Sequence, residues 1–192
     1  MNRNENKRKM IQKIALVGLL TALVVVMSYI RIPLVSSATV NLSLLMIVIG
    51  TVLCGPWVGA WLSVFPTIIS FPEASVFLAY SPVGTVITLF LKGILAGLAA
   101  GFVYRLLSKK HPVCGVICSA VVAPVVNTGV FLLGCYIFLW DKLISMAAEN
   151  GVGLGALLIG LAGINFAAEL ILCLALCPAI IRIIQIAKKK FA

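Results

Sequence analysis

Charge is scarce in this chain, and acidic charge scarcest. Of 192 residues only 10% are Asp, Glu, Lys or Arg, and only 5 are acidic. An average soluble domain is ~25% charged and ~45–50% apolar. Here 62% of residues are hydrophobic and the mean hydropathy is +1.20. Too little polar sequence remains to cover the surface of a water-soluble fold, and so much apolar sequence excludes disorder. Histidine is nearly missing: the single copy, His111, falls in the short basic stretch Ser108–Pro112. No Gly-rich phosphate loop, HExxH or GxSxG pattern occurs. His-dependent nucleophilic and metal chemistry therefore has no candidate residues, nor does ATP hydrolysis. The expectation is a protein that is not an enzyme and carries no cofactor.

What is present reads as an all-α polytopic membrane protein, one integral membrane domain over residues 1–192. A spanning helix needs ~20 residues, so about seven spans at most can fit and no soluble domain is left over. The net charge of +10 arises from 15 Lys+Arg against 5 Asp+Glu. Positive loops anchored on one side of a bilayer account for it, so no nucleic acid partner is implied. Six cysteines (Cys54, Cys114, Cys118, Cys135, Cys173 and Cys177) lie in or at the ends of apolar runs. Cys114/Cys118 and Cys173/Cys177 each share a helix face. A metal could use such pairs, but His111 and Glu169 are the only complements, and packing of small apolar thiols is the favoured reading. The basic, then apolar N-terminus resembles a signal peptide. It lacks a small-residue cleavage site and approaches full spanning length, so it reads as an uncleaved first span.

Residues 1–13 form a basic tail, followed by apolar segments at about 14–30, 42–54, 57–71, 83–107, 113–139 and 154–186. Arg31–Val40, Pro72–Pro82 and Trp140–Gly153 read as loops. The stretch Leu42–Phe71, as one helix, would be ~45 Å long, against a ~30 Å hydrocarbon core. Charge decides its reading. If it turns at Gly55-Pro56 into short second and third helices, there are six spans with both termini cytoplasmic. The cytoplasmic ends then hold 12 of the 15 cations, with Arg31 and Lys142 outside and Lys92 in the membrane. Five spans would put the basic clusters on opposite faces, against the positive-inside bias. Short helices at that depth either line a cavity or form a plain tilted hairpin.

Four strongly polar side chains interrupt the spans: Lys92, Asn127, Asn165 and Glu169. An ionisable group inside a span is costly and by default marks function. Counted from the outer ends, Lys92, Asn127 and Asn165 lie ~14, ~18 and ~15 Å deep, with Glu169 ~6 Å beyond Asn165. Three helices thus bring polar groups to one level. That suits a small polar ligand in an apolar pocket. It equally suits a ligand-free interior, with Lys92 and Glu169 paired and two Asn crosslinking helices. Outer-loop residues Ser36, Ser37, Thr39, Asn41, Tyr80 and Ser81 could close over such a pocket, or be ordinary solvated loop. Trp57, Trp61 and Trp140 read as interface anchors. Gly93, Gly97 and Gly101 form a small-residue stripe, whose partner is expected to be a helix of the same chain. Ala15, Gly18 and Ala22 on the first span could face another subunit.

The order of several strings carries a resemblance: "KIALVGLLTALVVV", "LMIVIGTVLCGPWVGAWLSV", "LKGILAGLAAGFVYRLL", "APVVNTGVFLLG" and "INFAAELILCLALCPAII". Together they cover nearly the whole chain, which resembles the substrate-binding S components of energy-coupling factor vitamin transporters. The resemblance implies a bacterial multi-pass membrane protein that binds one micronutrient at its outer side. It implies partners too: a transmembrane T component, two ATP-binding subunits and the bilayer, with toppling of the S component to release its cargo inside. The pantothenate-type branch looks most similar, with Lys92 before the Gly-rich stretch of the fourth span and Asn127-Thr128 in the fifth. Where relatives carry Arg at that cation, Lys92 departs, and it offers a point charge without a bidentate fork. The riboflavin pattern is not evident, and the N-terminal His of the cobalt and nickel branch is lacking. The resemblance implies substrate binding by Lys92 and Asn127 and T-component docking through Ala15, Gly18 and Ala22; the polar-group reading adds Asn165 and Glu169 to the binding residues, and the outer loops add Tyr80 and Asn41. Alternatives are another vitamin such as riboflavin, a ligand-free assembly subunit, or a proton-coupled carrier using Glu169.

Overall fold

The computed structural model describes residues 3–35 and 38–191. The side chains of 3–6, 9, 31–35, 38–41, 184–185 and 187–191 lie outside that description. Helix α1 (Arg3–Tyr29) leads into an antiparallel hairpin of β1 (Arg31–Val35) and β2 (Ala38–Asn41), in which Arg31 pairs with Asn41 and Pro33 with Thr39. Then come α2 (Ser43–Cys54), α3 (Pro56–Ile69), α4 (Ser75–Tyr80), α5 (Pro82–Leu107) and α6 (Pro112–Phe138). The chain ends with α7 (Trp140–Glu149), α8 (Leu154–Leu158), a π-helical turn at Ile159–Gly163, and α9 (Ile164–Phe191).

Among the described residues, four helical stretches are long and apolar enough to cross a membrane: Met10–Tyr29, Pro82–Leu107, Pro112–Phe138 and Leu154–Ile183. The two helices of Leu42–Phe71 are indeed short, at 12 and 14 residues. They meet at Gly55, whose φ of +106° is a backbone state that a side chain strains. Pro56 follows at the first helical position, where its missing N–H costs nothing. Helix α2 is apolar all round, and it packs against α1, α3, α5, α6 and α9. Its Leu44, Leu45, Ile47, Val48, Ile49 and Val52 are all buried, as expected of a helix with no polar face.

Several stretches expected to lack regular structure have it. Arg31–Val40 falls in the hairpin, where a two-stranded ribbon leaves each strand an outer edge that tolerates Pro33. Pro72–Pro82 contains α4. Trp140–Gly153 contains α7, because Leu143 and Ala147, one turn apart, are buried while Asp141 and Glu149 stay exposed. The basic tail is the first turns of α1, since nothing there breaks a helix. The last apolar segment is interrupted by the π turn and its helix runs on to Phe191.

The stripe on α5 packs against α3 of the same chain. A Cβ on Gly97 would lie 2.6 Å from the Gly59 carbonyl, and one on Gly101 2.5 Å from Pro56 Cα. Ala15, Gly18 and Ala22 are exposed, and nothing lies within 4 Å of a Cβ built on Gly18. Two apolar cores form. The larger joins Leu20 and Val24 of α1 to α2, Leu62, Ala100, Tyr104, Ala120, Cys173, Cys177 and Ile180. The smaller gathers Cys135, Leu139 and Leu143 with Phe77, Phe131, Leu154, Leu158 and Leu161.

Candidate ligand-binding cavity

Against the larger core, at Leu44 and Ile47, lies a polar cavity of about 170 Å³. Helix α5 contributes Lys92 and Gly93, α6 contributes Asn127, and α9 contributes Asn165 and Glu169. Ser43, Leu44 and Ile47 of the central α2 form one side. Ser63, Pro66, Thr67, Ser70 and Glu73, from α3 and the turn after it, form another. All four intramembrane polar residues singled out from the sequence therefore meet in one space. The two Asn/Glu positions on α9 are a turn apart and share its cavity-facing side.

Lys92 is the cation of the cavity. Its Nζ stands 5.0 Å from the centroid of the Phe131 ring, within range of a cation–π attraction. Glu169 is close enough to act on it electrostatically. Among the described residues, however, no ion pair within 4.0 Å joins them and the ammonium donates no hydrogen bond. Asn127 lines the cavity together with the Glu169 carboxylate. Asn165 Nδ2 donates to the Leu161 carbonyl at 3.4 Å, inside the π turn, while its Oδ1 is buried with no partner. A buried acceptor left unpaired is uncommon and costly. π turns, which shift the helical register by a residue, recur at functional sites.

The two loop candidates differ from the four. Tyr80 ends the six-residue α4, in which nothing is buried; it is 49% exposed and does not line the cavity. The side chains of Asn41 and Thr39, and all of Ser36 and Ser37, lie outside the described residues. The backbone of β2 nevertheless packs on α9, and Ser43, two residues after Asn41, lines the cavity. Trp57 and Trp61 are exposed on α3. Cys173 and Cys177 are buried in the larger core, where the Cys177 thiol donates to the Cys173 carbonyl at 3.2 Å, whereas Cys114 is exposed. Sequence reasoning missed the hydroxyls and Glu73. The signal was the spacing of Ser63, Thr67 and Ser70, which puts them on one face of α3.

Long apolar helices packed round a short apolar one, with a lysine, a glutamate and two asparagines at one polar cavity, define a helical membrane protein with a polar interior site. The chain matches the family described as ECF transporter, substrate-specific component, over residues 12–181, and it belongs to that family. The match contains every residue of the cavity. The family is one of transporter subunits and not of enzymes, which agrees with the lack of catalytic motifs. No curated protein and no solved structure matches the chain.

Proposed function

We propose that this protein is the S component of an energy-coupling factor importer, and that it captures a small water-soluble vitamin carrying a carboxylate, pantothenate being the leading candidate. Six spans, counting α2 and α3, place both termini and the basic ends of α5 and α9 on the cytoplasmic side, and the hairpin and cavity mouth outside. The cell membrane of a bacterium is the corresponding location, with a T component and two ATP-binding subunits as partners. In this reading Lys92 holds the ligand carboxylate, Asn127 and Asn165 hydrogen-bond its polar arm, and Glu169 offsets part of the lysine charge. Asn41 and Tyr80, from the hairpin and α4, belong to the segments that cover the mouth. Ala15, Gly18 and Ala22 form the docking face, which their exposure supports.

The observation that carries the proposal is Lys92 at a polar cavity without an ion-pair partner among the described residues. Keeping an ammonium inside an apolar body is costly unless a ligand's anionic group completes its company. That observation weighs against a ligand-free subunit, which needs Lys92 and Glu169 in contact. The volume of about 170 Å³ is below the ~300–1,000 Å³ of sites for drug-sized ligands, which favours a small acid over the three-ring flavin of riboflavin. Melting of the purified chain against a panel of vitamins tests it. Pantothenate or a similar small acid raises the melting temperature of wild type and leaves Lys92→Met unmoved. Stabilisation by a flavin alone redirects the cargo, and stabilisation by no vitamin favours the ligand-free alternative.

A further inference from the structure

We propose that the α3 side of the cavity is an acceptor wall, selecting a substrate with hydrogen-bond donors on the arm that leads away from its carboxylate. The inference rests on the substrate-binding reading above and adds the chemistry of the second recognition surface. Ser63 Oγ donates to the Ala60 carbonyl at 2.7 Å, and Ser70 Oγ donates to the Thr67 carbonyl at 2.9 Å. Thr67 Oγ1 lies 2.9 Å from the Ser63 carbonyl and 3.4 Å from that of Leu89. A carbonyl oxygen cannot donate, so each of these hydroxyls commits its only proton to the main chain. What each has left for the cavity is lone pairs. Asn165 follows the same rule: Nδ2 is committed to the Leu161 carbonyl and the buried Oδ1 is left over.

The cavity is therefore polarised. Lys92 is a donor, while the cavity-lining Ser63, Thr67 and Ser70 keep only acceptor capacity, and the enclosed Asn165 Oδ1 is a further acceptor without a partner. Gly93, beside Lys92 on α5, brings the two together, because a Cβ there would lie 2.9 Å from Thr67 Oγ1 and 3.3 Å from the Ser63 carbonyl. The class of ligand that answers both surfaces is a small carboxylic acid bearing hydroxyl, amide N–H or amine groups. An acid whose arm carries only ethers, esters or ketones would set lone pairs against lone pairs and leave buried acceptors unpaired on both sides.

Calorimetry on the purified full chain, with pantothenate and an analogue in which fluorine replaces a hydroxyl, tests this. Fluorine keeps the size of the group and removes the donor. The analogue binds wild type about tenfold more weakly, and in Thr67→Val, which keeps the shape of threonine, the gap closes to about twofold or less. Ser70→Ala, at the half-buried C-cap just past α3, narrows the gap in the same direction and guards against a folding defect in Thr67→Val. Equal binding of both ligands to wild type, with Lys92→Met still abolishing binding, overturns the acceptor wall and leaves the carboxylate site standing. Absence of binding by any hydroxy acid, or binding indifferent to Lys92→Met, overturns the substrate reading and the wall with it.

Discussion

Burying one amide oxygen without a partner costs on the order of 1–3 kcal/mol, and Asn165 bears that cost at the lip of the π turn. A residue kept for stability alone would not be asparagine there. Asn165→Leu is expected to leave the melting temperature of the ligand-free protein unchanged or raised, and to weaken ligand binding about tenfold; a combined melting and calorimetric measurement checks both. The same residue shows why part of the site is legible in sequence. Lysine, glutamate and asparagine inside apolar runs have no cheap way to satisfy themselves, so Lys92, Asn127, Asn165 and Glu169 stand out and prove to share one cavity. Serine and threonine do not stand out, because a hydroxyl can bond the carbonyl one turn back. Thr21 and Ser28 do so on α1, at 2.8 and 2.7 Å, and neither lines the cavity. Nothing local separates them from Ser63 and Thr67; only the packing of α3 on α5 does.

At the scale of elements, the site depends on how closely α3 and α5 approach. Gly97 and Gly59 meet backbone to backbone, so that no methyl fits between them. Gly97→Ala forces the helices apart and is expected to destabilise the protein by about 1–3 kcal/mol, seen as a lowered melting temperature, with weaker ligand binding because Gly93 and Thr67 sit on the same two helices. The four-residue spacing of Gly93, Gly97 and Gly101 made this contact legible, and the Gly-Pro pair made the α2–α3 turn legible. The hairpin, α4 and α7 were not. Each is short, and each is held by its packing on neighbours: β2 on α9, α4 on α5, and α7 on α6 and α8. Helix α7 is amphipathic over ten residues, but Asp141, Lys142, Glu149 and Asn150 crowd a short segment between two long apolar runs, so by composition it reads as a polar loop. Pattern reading follows periodicity over longer stretches, and so it recovers the long helices and loses such pieces.

For the molecule as a whole, a polar cavity sits against the larger apolar core, and a separate face of α1 stays open. In the proposed reading, capture and docking then depend on separate surfaces. Gly18→Trp fills the open face and is expected to leave vitamin affinity within about twofold while reducing co-purification with the T component at least about tenfold. Equal recovery of the complex would place docking elsewhere. The most direct test of the central claim is a titration of purified protein with pantothenate and with its neutral counterpart, in which a hydroxymethyl group replaces the carboxylate. The account predicts saturable binding of the acid, at least about tenfold weaker binding of the neutral form, and loss of that difference in Lys92→Met. Equal affinity for the two forms in wild type, or a preference that survives in Lys92→Met, would contradict it.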